Sequence, residues 1–270
     1  MSEPNIELET VNVRLAEGAL TVELNRPETL NAWNVQLGAD LLRALRYATE
    51  EEAVRAVVVT GAGRGFSSGA DLRDVSGGDV TDDGHPDVYR TLTERYHPIM
   101  LAIREMPKPV IAAVNGPAVG IGCSLALCCD LIVAGEGAYF LLAFVNIGLV
   151  PDGGSSLFLP TRVGLARAME LSMLGERLPA PRALEWGLIN RVVADSELQA
   201  EAAALAARLA AGPTRSYAGA KRQLNNWLYT RMAEQLELEA QIQQEMAGSA
   251  DFIEGAMAFA QKRPARFTGR

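Results

Sequence analysis

Residues 110–129 read VIAAVNGPAVGIGCSLALCC and contain no charged side chain. Twenty such residues are enough to cross a membrane as a helix. This run, however, is interrupted by Asn115-Gly116-Pro117 and by Gly120 and Gly122, residues that break a continuous helix. The interruptions divide the run into a strand, a turn and a helix, which is typical of the buried core of an α/β domain. We therefore expect buried core here, with no membrane partner.

Outward from this run, the hydrophobic pattern predicts short strands and amphipathic helices. Strands are expected over 6–14, 18–25, 54–60, 110–114 and 131–134. Helices are expected over 34–50, 87–105, 120–129 and 165–174, with a polar loop over 74–86. After residue 195 the pattern becomes alanine-rich and helical. The sequence thus predicts an α/β core over 1–195 and a helical C-terminal region over 196–270.

The composition excludes several classes of function. The chain has 270 residues, 49% hydrophobic and 21% charged, with a formal net charge of −8. These values are typical of a globular protein with a large core. Its 25 basic residues are scattered, whereas a nucleic-acid-binding protein usually clusters them on one face. We therefore expect no nucleic-acid partner and no anionic membrane partner.

Few side chains could support metal or imidazole chemistry. The chain has two histidines, His85 and His97, without an HExxH pattern, and its cysteines are Cys123, Cys128 and Cys129. Three clustered cysteines cannot form a four-thiolate zinc site, and we expect them to be buried thiols. The polar N-terminus is unlike a secretion signal, so a cytoplasmic location is expected. Carboxylates and backbone groups remain as the candidates for chemistry.

Two glycine-rich segments could present backbone N–H groups to a ligand. Residues 61–72 read GAGRGFSSGADL and follow a predicted buried strand, and residues 115–124 read NGPAVGIGCS and lead into a predicted helix. Small residues allow close approach to the backbone, and a helix N-terminus has unpaired N–H groups. The alternatives are a surface turn for the first segment and tight helix packing for the second. Together the segments could supply the two donors of an oxyanion hole.

Asp152 is a candidate acid–base residue. It lies in Gly148-Leu149-Val150-Pro151-Asp152-Gly153-Gly154, between an apolar run and paired glycines. An aspartate in this position can cap a helix, and caps are common. Alternatively, it is a partly desolvated carboxylate with a raised pKa, suited to proton transfer.

These stretches resemble the enoyl-CoA hydratase/isomerase, or crotonase, superfamily, and the resemblance covers almost the whole chain. The resembling segments are 25–27, 30–32, 66–72, 108–116, 129–131, 183–190 and 259–263. The resemblance implies a ClpP-like spiral of repeated ββα units with a helical C-terminal region that forms a homotrimer or a dimer of trimers. It also implies an acyl-CoA substrate and no cofactor, since CoA arrives as part of the substrate.

Carried onto this sequence, the family's motifs assign roles to particular residues. The backbone N–H groups of Ala70 and Ile121 would form the oxyanion hole for the thioester oxygen. The positions assigned to CoA or substrate binding are Ala32, Ser68, Asp71, Leu72, Arg73, Gly120, Ser124, Phe144, Phe259 and Lys262. Arg73 is the candidate phosphate partner, because Glu28 replaces the basic residue that the family has near Asn25-Arg26.

Departures from the family's pattern indicate the reaction. The two glutamates of the hydratases are replaced here by Ser124 and Phe144, neither of which is a general base. Ser124 is interpreted as a small residue on a first helical turn, and Phe144 as part of an acyl pocket or of the core. Asp152 matches the acidic position of Δ3,Δ2-enoyl-CoA isomerases and phenylacetate-pathway isomerases, and apolar neighbours would raise its pKa.

The sequence therefore predicts an enoyl-CoA isomerase that shifts a double bond through an enolate, with Asp152 as its acid–base residue. Two alternatives remain open at this stage. One is a hydratase, a lyase of fatty-acid β-oxidation, in which Asp152 substitutes for the missing glutamates. The other is an acyl-CoA-binding protein that has lost catalysis.

Overall fold

The computed structural model describes residues 6–72 and 80–270, and its centre is a six-stranded sheet. In spatial order the strands are β1 (Val11–Ala16), β2 (Ala19–Leu24), β3 (Ala56–Gly61), β4 (Val110–Val114), β6 (Leu131–Gly135) and β9 (Arg191–Val193). β1 and β2 form an antiparallel hairpin, and every later neighbour pairs in parallel. β3 and β4 are buried along their whole length, as expected for β-branched runs in a parallel sheet.

A second, three-stranded sheet contains β5 (Pro117–Val119), β7 (Tyr139–Leu141) and β8 (Leu178–Pro179). β5 follows β4 after two residues, and β7 follows β6 after three, so the four strands from β4 to β7 alternate between the large and the small sheet. A helical segment comes after each pair. This alternation is the repeated ββα unit expected from the resemblance.

Eleven α-helices are found in the described part of the chain. They are α1 (Val35–Glu50), α2 (Val88–Thr91), α3 (His97–Glu105), α4 (Ile121–Cys128), α5 (Ser155–Val163), α6 (Leu165–Leu174), α7 (Ala180–Glu185), α8 (Leu198–Ala211), α9 (Thr214–Leu228), α10 (Met232–Ala247) and α11 (Ala250–Ala260). A π-helical turn over Leu92–Tyr96 joins α2 to α3, and short 3-10 turns cover Pro27–Thr29, Ala143–Ile147 and Asp195–Glu197. Within these residues, none of the helices has the length and hydrophobicity that a membrane span requires.

The helices cover both faces of the large sheet. On one face, α1, α3 and α4 contribute to the main hydrophobic core. α1 begins where expected, because the Asn34 side chain accepts a hydrogen bond from Leu37 N (2.8 Å) and caps the helix. On the other face, α8 buries Leu198, Ala202 and Ala206 against the sheet. The C-terminal helices therefore take part in the core, and a boundary at residue 195 stays a prediction.

Most predicted elements are confirmed, and the differences concern the first strand, α5 and the small sheet. The run over 110–129 forms β4, a turn, β5 and α4, and all three of its cysteines are buried free thiols. The first strand is shorter than predicted, and α5 and the small sheet were not predicted. Of the predicted loop over 74–86, residues 74–79 lie outside the described part of the chain.

Candidate active site

The two glycine-rich segments lie side by side in the structure. Ser67 N donates a hydrogen bond to Pro117 O (2.9 Å), and Val119 N donates to Ser67 O (2.9 Å). The approach is too close for larger residues: a Cβ on Gly69 would lie 2.9 Å from Val119 O, and one on Gly122 would lie 2.6 Å from the Ser67 Cβ. The glycines are therefore required for this contact between backbones.

The N–H groups of Ala70 and Ile121 are available for a ligand. Trp33 pairs with Ala70 in a parallel bridge, in which Trp33 N donates to Gly69 O and Asp71 N donates to Trp33 O. The N–H of Ala70 itself therefore points away from Trp33. Ile121 is the first residue of α4, so its N–H has no partner within the helix. Within residues 6–72 and 80–270, neither N–H donates a hydrogen bond.

Gly120 and Phe144 shape the entrance to α4. Gly120 has φ +54° and ψ −127°, a conformation that favours glycine, and its N–H donates to Leu141 O (2.9 Å). The ring of Phe144 lies 4.0 Å from the position that a Cβ on Gly120 would occupy. Phe144 is buried, with 7% exposure. It therefore belongs to the core beside Gly120, and a role of Phe144 in an acyl pocket stays a prediction.

The loop that carries Asp152 lies against the first turn of α4. A Cβ on Gly153 would be 2.5 Å from the Ile121 Cδ1 atom and 3.0 Å from the Ser124 Cβ atom, which places the Asp152 loop against the first turn of α4. The Ser124 hydroxyl donates to the Asp152 backbone oxygen (2.8 Å), and the Ser155 hydroxyl donates to the same atom (2.8 Å). Ser124 thus holds the loop in place, a function its small size alone did not indicate.

The Asp152 carboxyl group is buried and is bound on one side only. The residue is 5% exposed, and Oδ2 accepts a hydrogen bond from Gln243 Nε2 (2.7 Å). Oδ1 has no hydrogen-bond partner among the described residues. Burial raises the pKa of Asp152 to about 8, although the hydrogen bond from Gln243 opposes this rise. This rise in the pKa of Asp152 agrees with the prediction made from its apolar sequence neighbours.

A second buried carboxylate, Glu239 of α10, lies close to Asp152. It is 3% exposed and accepts hydrogen bonds from Gly154 N (2.7 Å) and Ser156 N (3.1 Å), at the start of α5. Burial raises the pKa of Glu239 to about 7, and its hydrogen bonds from Ser156 and Gly154 oppose the rise. Its negative charge also raises the pKa of Asp152.

Neither Glu239 nor Gln243 was among the residues predicted for the site. They are four positions apart on α10 and therefore share one face of the helix. That face also buries Leu236 and Ala240, so two polar residues stand at apolar positions of the helical pattern. These polar residues at apolar positions were the feature of the sequence that could have pointed to the site, since buried polar groups need a hydrogen-bond partner.

The predicted binding positions near the N-terminus are brought together by Arg26. Its guanidinium donates to Ala32 O and to Asp71 Oδ2 (3.3 Å), and both residues are buried. Ser68 N donates to Leu30 O (2.8 Å), which fixes the same segment. Leu72 is half-buried at the end of this segment. Arg73, the predicted phosphate partner, lies outside the described residues.

The two C-terminal positions lie at the surface. Phe259 on α11 is 65% exposed, and Lys262 follows it in a left-handed conformation (φ +54°). α11 packs against the turn that carries Phe144, since a Cβ on Gly255 would lie 2.6 Å from the backbone of Ile147. The predicted contact of Phe259 and Lys262 with CoA stays a prediction.

Histidine and cysteine are not part of this constellation. His97 is buried at the start of α3, and burial lowers its pKa to about 4, so it is neutral near pH 7. The three cysteines have pKa values raised by burial and are therefore thiols. Throughout the described ranges, no three His, Cys, Asp or Glu side chains are grouped so that they could hold a metal ion.

The described arrangement combines the backbone N–H groups of Ala70 and Ile121 with the buried carboxyl groups of Asp152 and Glu239. The profile of the family described as Enoyl-CoA hydratase/isomerase matches residues 14–270. The chain therefore belongs to the enoyl-CoA hydratase/isomerase family, and the resemblance drawn from its motifs is confirmed.

Of the similar individual proteins, some are named hydratases and others isomerases. A probable enoyl-CoA hydratase of Rhodobacter capsulatus is 42% identical over 261 residues, covering 97% of this chain and 98% of the relative. A 1,2-epoxyphenylacetyl-CoA isomerase of Escherichia coli is 40% identical over 264 residues, covering 97% and 100%. A crystal structure of an enoyl-CoA hydratase from Mycobacterium avium subsp. paratuberculosis superposes with a TM-score of 0.87 at 39% identity, covering 97% and 100%. The fold is thus the crotonase fold.

Proposed function

We propose that this enzyme isomerises an unsaturated acyl-CoA thioester by moving one proton along the acyl chain. The observation that supports this proposal is the buried carboxyl group of Asp152, carried by a loop that lies against the first turn of α4, where the N–H of Ile121 is available. The free oxygen of Asp152, Oδ1, is the atom that would take up and return the proton. A carboxyl group with a pKa of about 8 can act in both directions near neutral pH.

The proposed reaction has two proton transfers. Ionised Asp152 removes a proton from the acyl chain, and the electron pair of that C–H bond moves through the conjugated system onto the thioester oxygen. The N–H groups of Ala70 and Ile121 stabilise the resulting enolate oxygen. Protonated Asp152 then returns the proton to a different carbon, and the electrons move back to form the shifted double bond. Atoms and charge balance without a second reactant.

A hydratase is the second candidate, because the relative from Rhodobacter capsulatus carries that name. Adding water requires a group that holds and activates the water molecule. Ser124 is fully buried and its hydroxyl already donates to the Asp152 backbone, while Phe144 has no acid–base group. The geometry therefore favours isomerisation, for which one carboxylate is sufficient. A catalytically inactive acyl-CoA-binding protein is the outcome if neither reaction is detected.

The deciding experiment compares wild type with Asp152→Asn on a 3-enoyl-CoA and a 2-enoyl-CoA. We expect the substitution to reduce isomerisation by at least about 100-fold while CoA-ester binding is retained, because the amide cannot accept the proton. Glu136→Gln, which removes an exposed carboxylate in the β6–β7 turn, serves as the control and keeps wild-type rates. Isomerisation that persists in Asp152→Asn contradicts the proposal, and water addition as fast as isomerisation favours the hydratase.

A homotrimer or dimer of trimers, and a cytoplasmic location, also remain proposals. Large exposed apolar side chains along one face of α6 support an assembly: Leu165 is 71% exposed, Met169 45% and Met173 62%. Apolar surface of this kind marks protein interfaces. Light scattering in solution separates a trimer from a hexamer by mass, and a monomer contradicts both.

A further inference from the structure

We propose that Gln243 of α10 is a positioning residue that binds one oxygen of Asp152 and leaves the other as the proton-transferring atom. This inference deepens the proposed function and rests on it. Gln243 lies 91 positions from Asp152 in the sequence and reaches the site because α10 packs against the loop that carries Asp152.

The orientation of the Gln243 amide is determined by its two partners. Gln243 is 1% exposed, and its Oε1 accepts a hydrogen bond from Val150 N (3.0 Å). Because Oε1 must face this backbone donor, Nε2 faces Asp152 Oδ2, to which it donates at 2.7 Å. The amide thus spans the loop from Val150 to Asp152 and can act on the carboxylate only as a donor.

The two oxygens of Asp152 are therefore not equivalent. Oδ2 is held by Gln243, whereas Oδ1 is buried and has no partner among the described residues. One helical turn earlier, Glu239 binds Gly154 N and Ser156 N. α10 thus fixes the backbone on both sides of Asp152, and rotation of the carboxyl group out of this position would break the bond to Gln243.

A bond from an N–H donor stabilises the ionised form of Asp152. The charged neighbour on α10 is Glu239, the neighbours Ile121 and Ser124 on α4 do not titrate, and the neighbour on α3 is Met100. His97, one turn before Met100, stays neutral above about pH 4. A change at Gln243 that leaves these groups in place should therefore be visible in the ionisation of Asp152.

The test substitutes Gln243→Met, which keeps the length of the side chain and removes both hydrogen bonds. We expect the acid limb of the pH profile of kcat/KM to move upward by about one pH unit or more, because the ionised carboxylate loses its donor. Gln241→Met on the exposed face of α10 is the matched control and keeps the wild-type profile. Loss of activity alone, without the shift, would indicate a structural role and overturn the proposal.

A second measurement does not depend on turnover. The infrared band of the Asp152 carboxyl group is obtained by subtracting the spectrum of Asp152→Asn from the spectrum of the protein that keeps Asp152. This band is titrated once with Gln243 in place and once with Gln243→Met. The proposal requires its midpoint to rise in Gln243→Met, and equal midpoints overturn it. If Gln243→Met does not fold, Gln243→Asn, whose shorter side chain cannot span the two partners, is titrated in the same way. Should Asp152→Asn remain fully active, the proposed function fails, yet this titration still tests whether Gln243 stabilises the ionised form of Asp152.

Discussion

Asp152 and Glu239 are two buried carboxylic acids close to one another, and the charge of Glu239 raises the pKa of Asp152. Both have raised pKa values, of about 8 and about 7. Glu239 receives three hydrogen bonds, from Gly154 N and from the N–H and hydroxyl of Ser156. Asp152 receives one on its carboxylate, from Gln243. Glu239 is thus the better-stabilised anion, and Asp152 is the acid that holds its proton near neutral pH.

Substituting Glu239→Gln should lower the pKa of Asp152, because a neighbouring negative charge is removed. We expect the acid limb of the kcat/KM profile to move to lower pH by up to about one unit, opposite in sign to the effect of Gln243→Met. The variant should also lose about 1–3 kcal/mol of unfolding free energy, since an amide cannot accept all of the former donors. Glu245→Gln, on an exposed position of α10, is the control for both measurements. An upward shift would contradict this account.

The sequence identified Asp152, Ala70 and Ile121 as site candidates because each belongs to a local motif that resembles the family. It did not identify Glu239 or Gln243, which act on Asp152 from about 90 positions away. Their contribution depends on how α10 packs, which no local pattern specifies. The hydrogen bond of the Ser124 hydroxyl could not be predicted for the same reason, since its acceptor, the Asp152 backbone oxygen, lies in a different segment of the chain.

At the scale of elements, the site depends on the crossing of the 66–71 and 117–122 segments. Gly122→Ala would place a methyl group 2.6 Å from the Ser67 Cβ atom and 2.9 Å from Ser67 O. The two segments would have to separate, and the N–H groups of Ala70 and Ile121 would move with them. We expect kcat/KM to fall by about 10-fold or more and unfolding free energy to fall by about 1–3 kcal/mol, measured by steady-state kinetics and urea unfolding.

The matched control for this substitution is Gly219→Ala in α9. A Cβ on Gly219 meets nothing within 4 Å, so the methyl group is accommodated. In a helix interior this change should stabilise the protein by about 0.5–1 kcal/mol and leave kcat/KM unchanged. If Gly122→Ala also left kcat/KM unchanged, the crossing would not position the two donors.

Elements with strong periodicity were predicted well, and short or interrupted ones were not. α1 is marked by its Asn34 cap and its buried leucines, and β3 by a run of buried valines. The strands β5, β7 and β8 contain only two or three residues, too few for a periodic pattern. α5 starts after two glycines with positive φ and contains Pro160, so its local sequence indicates a loop.

For the whole molecule, the C-terminal helices are part of the structure that forms the site. Lys221 of α9 donates to Asp130 Oδ2 (2.8 Å), and Arg104 of α3 donates to Asp130 Oδ1 (3.0 Å). This buried network joins α9 to the core just before α10 delivers Glu239 and Gln243 to Asp152. Folding of the C-terminal region and formation of the site are therefore coupled.

The same buried acids should make the stability of the whole protein depend on pH. The pKa of Asp152 is about 8 in the folded protein, against a usual 3.8. Between these values the folded state binds the proton more tightly, so the unfolding free energy falls as pH rises, by at most about 1.4 kcal/mol per pH unit. His97 acts in the opposite direction, since its pKa of about 4 lies below the usual 6.5 and its contribution is lost as pH falls below about 6.5.

Asp152→Asn removes the first of these two dependences and leaves the second. We therefore expect the variant to match wild type near pH 4 and to become progressively more stable than wild type up to about pH 8, where the difference levels off. Urea unfolding of both proteins from pH 4 to pH 9 measures this difference directly. A difference that is constant with pH would mean that Asp152 is already ionised at low pH in the folded protein. A rising difference would show that the buried acid Asp152 lowers the stability of the folded protein, a cost that the proposed role in proton transfer would explain.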